Sequence, residues 1–537
     1  MIIFVSDMFV EDYVGGAELT SEAVIQDSLV PVTKIHSNNL TPSLMGKNKD
    51  KFWIFGNFSN LSRPCIVYAI KNLTYSVLEY DYKFCKYRSA EKHYAAEKQN
   101  CACHNEQIGK LISIFFKKSI VTWFMSEKQK QIYLDKFPFL NNESTKVLSS
   151  VLSQDILEYI DALDCSKKDE KWLILNSDSW IKGRDLAVNF AKSKDLEYEL
   201  VWGLEHKEVL KKMSTSKGII YLPPGGDTCP RFIIEAKLLG CELMLNDNVQ
   251  HKDESWFQDK KTAFSYLKER TEIFWSTTED KWNLDTPKFK TLTEDTKFNI
   301  IVPFYNAEEW LKKCIISIKR QKYNNFRCFL IDDLSTDLSS QVVLNNIKND
   351  DRFKLVKNTE KKYALGNIVE TLLAVAEDEE VNVLLDGDDW LASKNVLPHL
   401  NQEYSQSECL LTYGSYVYHP DGFRGIEPSM YPESVIEDNL FRKDSWRASH
   451  LRTFKTKLWK EINLDDLKNS QGYYKTAYDQ ALMLPLLELS GGKFKFVSHI
   501  MHTYNRENPL NVDKIKQKTQ FERAQQIRKK KPYKSKF

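Results

Sequence analysis

Three apolar runs, FNIIVPFYN (298–306), RCFLIDDLSTD (327–337) and VNVLLDGDDW (381–390), each end in a cluster of oxygen-bearing side chains. A strand buried on both faces reads as a continuous apolar run. The first run is followed by AEEWLKKCIISIKRQ, whose apolar positions 310, 311, 314, 315 and 318 recur at helical spacing, with Asn306 and Glu309 as a capping-box start. Strand and helix in alternation predict an α/β layer of parallel strands, whose carboxyl ends meet on one edge. There Tyr305, Asn306, Asp332, Asp333, Asp337, Asp386 and Asp388 would build one polar crevice. Asp386, Asp388 and Asp389 crowd three carboxylates into four residues, and like charges this close call for a cation. Hard divalent cations take oxygen ligands and hold phosphates, so the crevice suits a nucleoside diphosphate with Mn2+ or Mg2+.

A chain of 537 residues exceeds one hydrophobic core. The polar, aperiodic segment NLDTPKFKTLTEDTK marks a linker at 284–297, before a domain at 298–537. Ahead of it a second boundary near Ser153 separates 1–152 from 153–283. In the latter, KWLILN, YELVWG and GIIYLPPG alternate with helical DLAVNFAK, EVLKKM and RFIIEAKLLG, again parallel α/β layering. The net charge of +2 excludes a global basic field for nucleic acid, leaving only a local positive tail, RKKKPYKSKF, to touch phosphate or an anionic surface. The opening MIIFVSDMFVEDY reads as a first core strand without a signal peptide's basic region, and no apolar run reaches the length of a membrane span. The ten scattered cysteines read as reduced thiols, and a cytoplasmic location is expected.

In their order and separation IVPFYNAEEWLKKCIISIKRQ, IDDLSTD and LLDGDDWL resemble family 2 glycosyltransferases of the GT-A fold, over Lys297 to about Asn511. The resemblance implies that Asp386 faces the donor ribose, that Asp388 binds a metal clamping the diphosphate of a nucleotide-sugar, and that Asp333 and Tyr305 line the base and ribose pocket. Leu334 stands where that family has glycine. Asp479, in AYDQALMLPLLELSGG, has two readings: a helix N-terminal acid favoured by the macrodipole, or, by the resemblance, the general base that deprotonates the acceptor hydroxyl in an inverting transfer. His502 in HIMHTYNRENPLN is either a third metal ligand or a structural hydrogen-bonder. WRASHLRTFK is an acceptor wall or a packed loop.

In the first half, Gly15 and Gly16 in GGAE follow a strand and open a helix, where bare backbone can approach an anion. PPGGDTCPRFIIEAKLLGCEL resembles the E-x7-E region of family 4 glycosyltransferases of the GT-B fold, with Asp227 for the first Glu. That resemblance implies a GT-B-like pair of Rossmann-like domains, the acceptor side at 1–152 and the donor side at 153–283. Glu235 would hold the donor ribose and Asp227 the transferring sugar. Lys182 and Arg184 would neutralise the diphosphate without a metal, giving a retaining transfer. The half is short for such a pair, so a degenerate docking or glycan-binding module is the alternative. Cys85, His93, Cys101 and Cys103 fit a closed structural Zn2+ site or a set of buried thiols.

Together these readings describe a bifunctional glycosyltransferase that takes nucleotide-sugar to a hydroxyl of a glycan, a protein or a modified nucleobase. A nucleotidyltransferase, which also needs paired acids in a nucleotide crevice, is the rival enzyme.

Overall fold

The computed structural model describes residues 1–140, 143–282, 296–375, 377–405, 407–515 and 517–537. The expected linker lies outside them except for Thr296 and Lys297. Two compact units result: Met1–Ser28 with Val32–Thr286, and Leu29–Pro31 with Pro287–Phe537.

The first unit begins with β1 (Ile2–Ser6), β2 (Val32–His36), β3 (Phe52–Phe55), β4 (Thr74–Glu79), β5 (Thr122–Phe124) and β6 (Thr145–Val147). They pair in parallel, in the order β2-β1-β3-β4-β5-β6. Every residue of β1 is buried, as its unbroken apolar sequence demands of a strand covered on both faces. Aromatic side chains fill the core beside this sheet, with Tyr75 stacked on Phe115 at 4.7 Å. A second parallel sheet holds β7 (Trp172–Leu175), β8 (Tyr198–Val201), β9 (Gly218–Tyr221) and β10 (Glu242–Leu245) in the order β10-β9-β7-β8. The helices Arg184–Ser193, His206–Thr215 and Arg231–Leu238 connect them. Gly183 precedes the first of these at φ +63°, where a Cβ would run into the Leu222 carbonyl, so glycine alone fits that turn.

The second unit is built on β11 (Phe298–Phe304), β12 (Phe326–Asp332), β13 (Phe353–Lys357), β14 (Val381–Leu384), β15 (Trp390–Leu391), β16 (Leu411–His419) and β17 (Arg452–Lys455). After a small hairpin, β18 (Lys468–Asn469) and β19 (Gly472–Tyr473), comes the long β20 (Phe494–Asn505). The main sheet runs β13-β12-β11-β14-β17-β16-β20-β15. Its first four strands are parallel, and β17 enters antiparallel to β14. Side chains alternate across β11, Ile300 and Val302 into one core cluster and Ile301 into another. The register Phe304↔Asp332 aligns the carboxyl ends of β11 and β12, with β14 paired alongside.

One expected element starts elsewhere. The helix after β11 spans Leu311–Lys319 with Trp310 as its cap, not Asn306 with Glu309. Asn306 lies at φ +49° and its Oδ1 accepts from Thr336 N–H at 2.8 Å, so its capping group is spent on a neighbouring loop. Among the described residues no helix is long and apolar enough to cross a membrane.

Candidate functional site

At the carboxyl ends of β11, β12 and β14 the second unit has a cavity of about 530 Å3, a size suited to a small-molecule ligand. Tyr305, Asp333, Asp386, Asp388 and Asp479 all line it. Asp333 is fixed by three donors, the backbone N–H groups of Lys362 (2.8 Å) and Tyr363 (3.0 Å) and the Asn358 amide (2.9 Å). Tyr305 carries the Lys361 ammonium over its ring, 2.7 Å from the centroid.

The loops that present these residues are laced together. Beyond its bond to Thr336, Asn306 donates its backbone N–H to Ser335 Oγ at 3.0 Å, and Leu338 N–H donates to Glu308 at 2.6 Å. Asp332 caps the same turn by accepting from Ser335 N–H at 2.7 Å. Leu334 sits inside it at φ +65°, so the chain keeps a left-handed turn without the glycine that would relieve it. Tyr363 (φ +59°) and Ala477 (φ +55°), both lining the cavity, are left-handed too, and such strain gathers where a site is held to shape.

The three clustered carboxylates have different partners. Asp386 accepts from Tyr478 OH at 2.8 and 3.0 Å and lies 3.9 Å from the Arg452 guanidinium. Asp388 accepts from the Asn508 amide at 2.6 Å. Asp389 is buried and accepts from Asn505 N–H at 2.8 Å while bonding His502 Nε2 at 2.8 Å. Gly387 between them admits Phe304, which a Cβ there would strike. Burial first, then the charges of Asp389 and Asp386, push the Asp388 carboxyl up to about 8. Oxygen ligands whose mutual repulsion is unrelieved fit a hard divalent cation, for which Asp388 and Asp386 face the cavity.

His502, expected either as a third ligand or as a structural hydrogen-bonder, is fully buried and bonded through Nε2 to Asp389. Burial holds its pKa down at about 3, so the ring is neutral, and its Nδ1 has no partner among the described residues. His450 stacks on it at 4.6 Å. Asp479 lies in the first turn of the helix Tyr478–Leu489, and burial raises its pKa, with Arg452 opposing. It is thus a helix N-terminal acid that also lines the cavity, a position compatible with either reading. Tyr478, Arg452 and Asn508, which bond or approach the clustered carboxylates, are among the polar lining residues that sequence reasoning did not single out. Arg452 was inside WRASHLRTFK and Asn508 inside HIMHTYNRENPLN, without spacing to mark them.

The first unit holds two adjoining cavities of about 420 and 400 Å3 that share Gly16, Lys182 and Arg231. Asp227 lines the first, and Gly15 and Glu235 the second. Lys182 pairs with Asp227 at 2.9 Å, and Tyr221 OH donates to the same oxygen at 2.5 Å. Burial of Glu235 opposes its ionisation, but Arg231 (2.7 Å) and His206 (2.8 Å) outweigh it and hold the carboxyl below its ordinary range. Arg184 does not join them. It lies outside both linings and pairs with Asp178 (2.6 Å) and Asp185 (3.1 Å) because the helix it opens turns it away. Cys85, His93, Cys101 and Cys103 come together elsewhere in this unit.

Residues 299–467 match the family described as glycosyl transferase family 2. An uncharacterized glycosyltransferase of Haemophilus influenzae is 35% identical over 122 residues, 22% of this chain and 47% of that protein, so the chain spans about half of that relative. Glycosyltransferase GlyG of Streptococcus pneumoniae is 27% identical over 221 residues, 39% of this chain and 71% of GlyG. Among solved structures, residues 1–349 of TarS from S. aureus align at 20% identity with a TM-score of 0.32, over 39% of this chain and 60% of that one. Tyr305, Asp333, Asp386 and Asp388 fall inside the matched residues and Asp479 beyond them. The second unit thus carries a domain of glycosyl transferase family 2.

Proposed function

We propose that the chain is a glycosyltransferase whose second unit moves a sugar from a nucleotide-sugar to an acceptor hydroxyl with inversion. The observation that carries this is the meeting of Tyr305, Asp333, Asp386, Asp388 and Asp479 on one cavity of about 530 Å3 within the family 2 domain. Asp333, immobilised by three donors, and Tyr305 bind the nucleoside end. A Mn2+ or Mg2+ held by Asp388 and Asp386 would offset the charge of the departing diphosphate. Tyr478 and Arg452 fix Asp386 in place. Asp479, its basicity raised by burial, takes the proton from the acceptor hydroxyl. The test is a nucleotide-sugar panel with mass spectrometry of the released nucleotide, with and without chelator. Acceptor-dependent release that the Asp388→Asn variant loses is expected; release unaffected by both chelator and variant would count against the reading.

In the first unit we read a second, metal-independent donor site at Gly15, Gly16, Lys182, Asp227 and Glu235, with Arg231 as an added cation. The GT-B-like arrangement is supported by two parallel sheets whose connecting loops border the shared cleft. One observation favours a docking module instead: Lys182 is already neutralised by Asp227, and Arg184 is engaged outside the cleft.

A further inference from the structure

Four potential ligands, Cys85, His93, Cys101 and Cys103, converge in the first unit with their ligating atoms all within 4.8 Å of one another. Cys85, His93 and Cys103 are buried and Cys101 is partly so. We propose that this cluster is a structural zinc site, closed by three thiolates and one imidazole, which fixes the loop forming one wall of the first unit's cleft.

The distances carry the assignment. Zinc bonds of about 2.3 Å to sulfur and about 2.0 Å to nitrogen, set at tetrahedral angles, place sulfur and nitrogen about 3.6 Å apart. His93 Nδ1 lies 3.6 Å from Cys85 Sγ and 3.5 Å from Cys103 Sγ. Hydrogen bonding accounts for this poorly, because the one lone pair of a neutral imidazole nitrogen cannot serve two thiols equally well. Burial disfavours charge on these sulfurs, and the backbone N–H of Tyr87 at Cys85 and that of Lys86 at Cys103 oppose it in part. Such outer donors orient and stabilise metal-bound thiolates.

A second observation comes from the segment's own packing. The helix Ala90–Glu97 has eight residues, too few to be stable alone, and His93 is its one buried side chain. With no apolar face to hold it, it is anchored through His93. The ligand set begins just after β4 and ends in the short turn Cys103–Asn105, so one ion ties the two ends of the segment to its middle. Between these ligands lie Tyr87, Arg88, Ser89 and Lys92, all of which line the cleft of about 420 Å3. Four protein ligands leave no position for substrate, so the role is structural.

The test is metal analysis of the full chain, purified under reductant without chelator and then dialysed against a weak chelator to clear ions held by oxygen ligands. About one zinc per chain is expected. It should be released as three thiols are titrated with a mercurial, and Co2+ in its place should give the visible bands of a tetrahedral thiolate site. Replacing Cys101 and Cys103 by serine should remove the zinc, and His93→Cys, which keeps four ligands, should retain it even if the serine variant misfolds. Wild-type protein that holds no zinc and takes up none from zinc salt alone would overturn the proposal, as would full retention by the double serine variant.

Discussion

Leu334 holds a left-handed turn in the loop after β12, and a leucine Cβ strains such a backbone where glycine does not. Leu334 is also 40% exposed, so little packing is lost on its removal. Leu334→Gly should therefore raise stability by about 0.5–1 kcal/mol, read as a higher urea midpoint at unchanged slope. Asp388 presents the opposite case, a residue whose value lies in function. Asp388→Asn should lower transfer by about two to three orders of magnitude, since it removes a charged oxygen ligand, and added Mn2+ should not restore it. Near pH 7 its melting temperature should be no lower than that of the parent without metal, because a half-buried carboxyl pushed up to about 8 by burial and its two neighbours is there largely protonated; a well-folded variant with full turnover would contradict the assignment. The carboxylates Asp386, Asp388 and Asp389 were legible because LLDGDDW is contiguous. The partner of Asp389 was not: His502 reaches it through the β15–β20 pairing, Leu391↔His502, and register between distant strands is not written in either segment alone.

Loops and helix ends set the site at the next scale. The strand pattern of β11, β12 and β14 could be read directly, because each is an apolar run bounded by polar residues. The start of the helix Leu311–Lys319 could not, because Asn306 suits a cap and a loop brace equally, and only the presence of Thr336 decides between them. Asn306→Ala should cost about 0.5–1 kcal/mol in stability, by removing an exposed hydrogen bond to Thr336 N–H that water replaces only in part, and should weaken nucleotide-sugar binding more than it changes kcat. Calorimetry with the donor beside steady-state kinetics separates the two effects. At the other wall, the helix Tyr478–Leu489 offers Asp479 from its first turn. Asp479→Asn should reduce kcat by about two orders of magnitude or more while donor binding persists. With its pKa raised by burial above the ordinary aspartate range, the base is active only when deprotonated at higher pH, so the wild-type acid limb should lie above that range and vanish from the variant's residual rate. An unchanged acid limb would return Asp479 to a helix-end acid.

For the whole molecule, two units with separate clefts predict separate responses in one chain. Chelator should abolish donor binding at the second unit and leave any binding at the first, whereas Glu235→Ala should do the reverse, removing the acceptor that Arg231 and His206 position. Titrating the parent, with and without chelator, and the Glu235→Ala variant with a donor panel would read two sites or one; a single metal-dependent site would leave the first unit as a docking module. The parallel layering of both units was legible from alternating apolar runs. The approach of His206 to Glu235 was not, since it depends on how the helix His206–Thr215 packs beside Arg231–Leu238, whereas Arg231 and Glu235 are i and i+4 on one helix. One feature of the second unit bears on how such chains diversify. The cavity takes one wall from 303–389, at the ends of the parallel strands, and its opposite wall from 450–520, from the start of the antiparallel β17 onward. Because Arg452, Tyr478 and Asn508 of that second wall brace Asp386 and Asp388, a recombination joint in 395–445 would change the acceptor side without loss of the donor side only where the incoming wall carries the same three side chains.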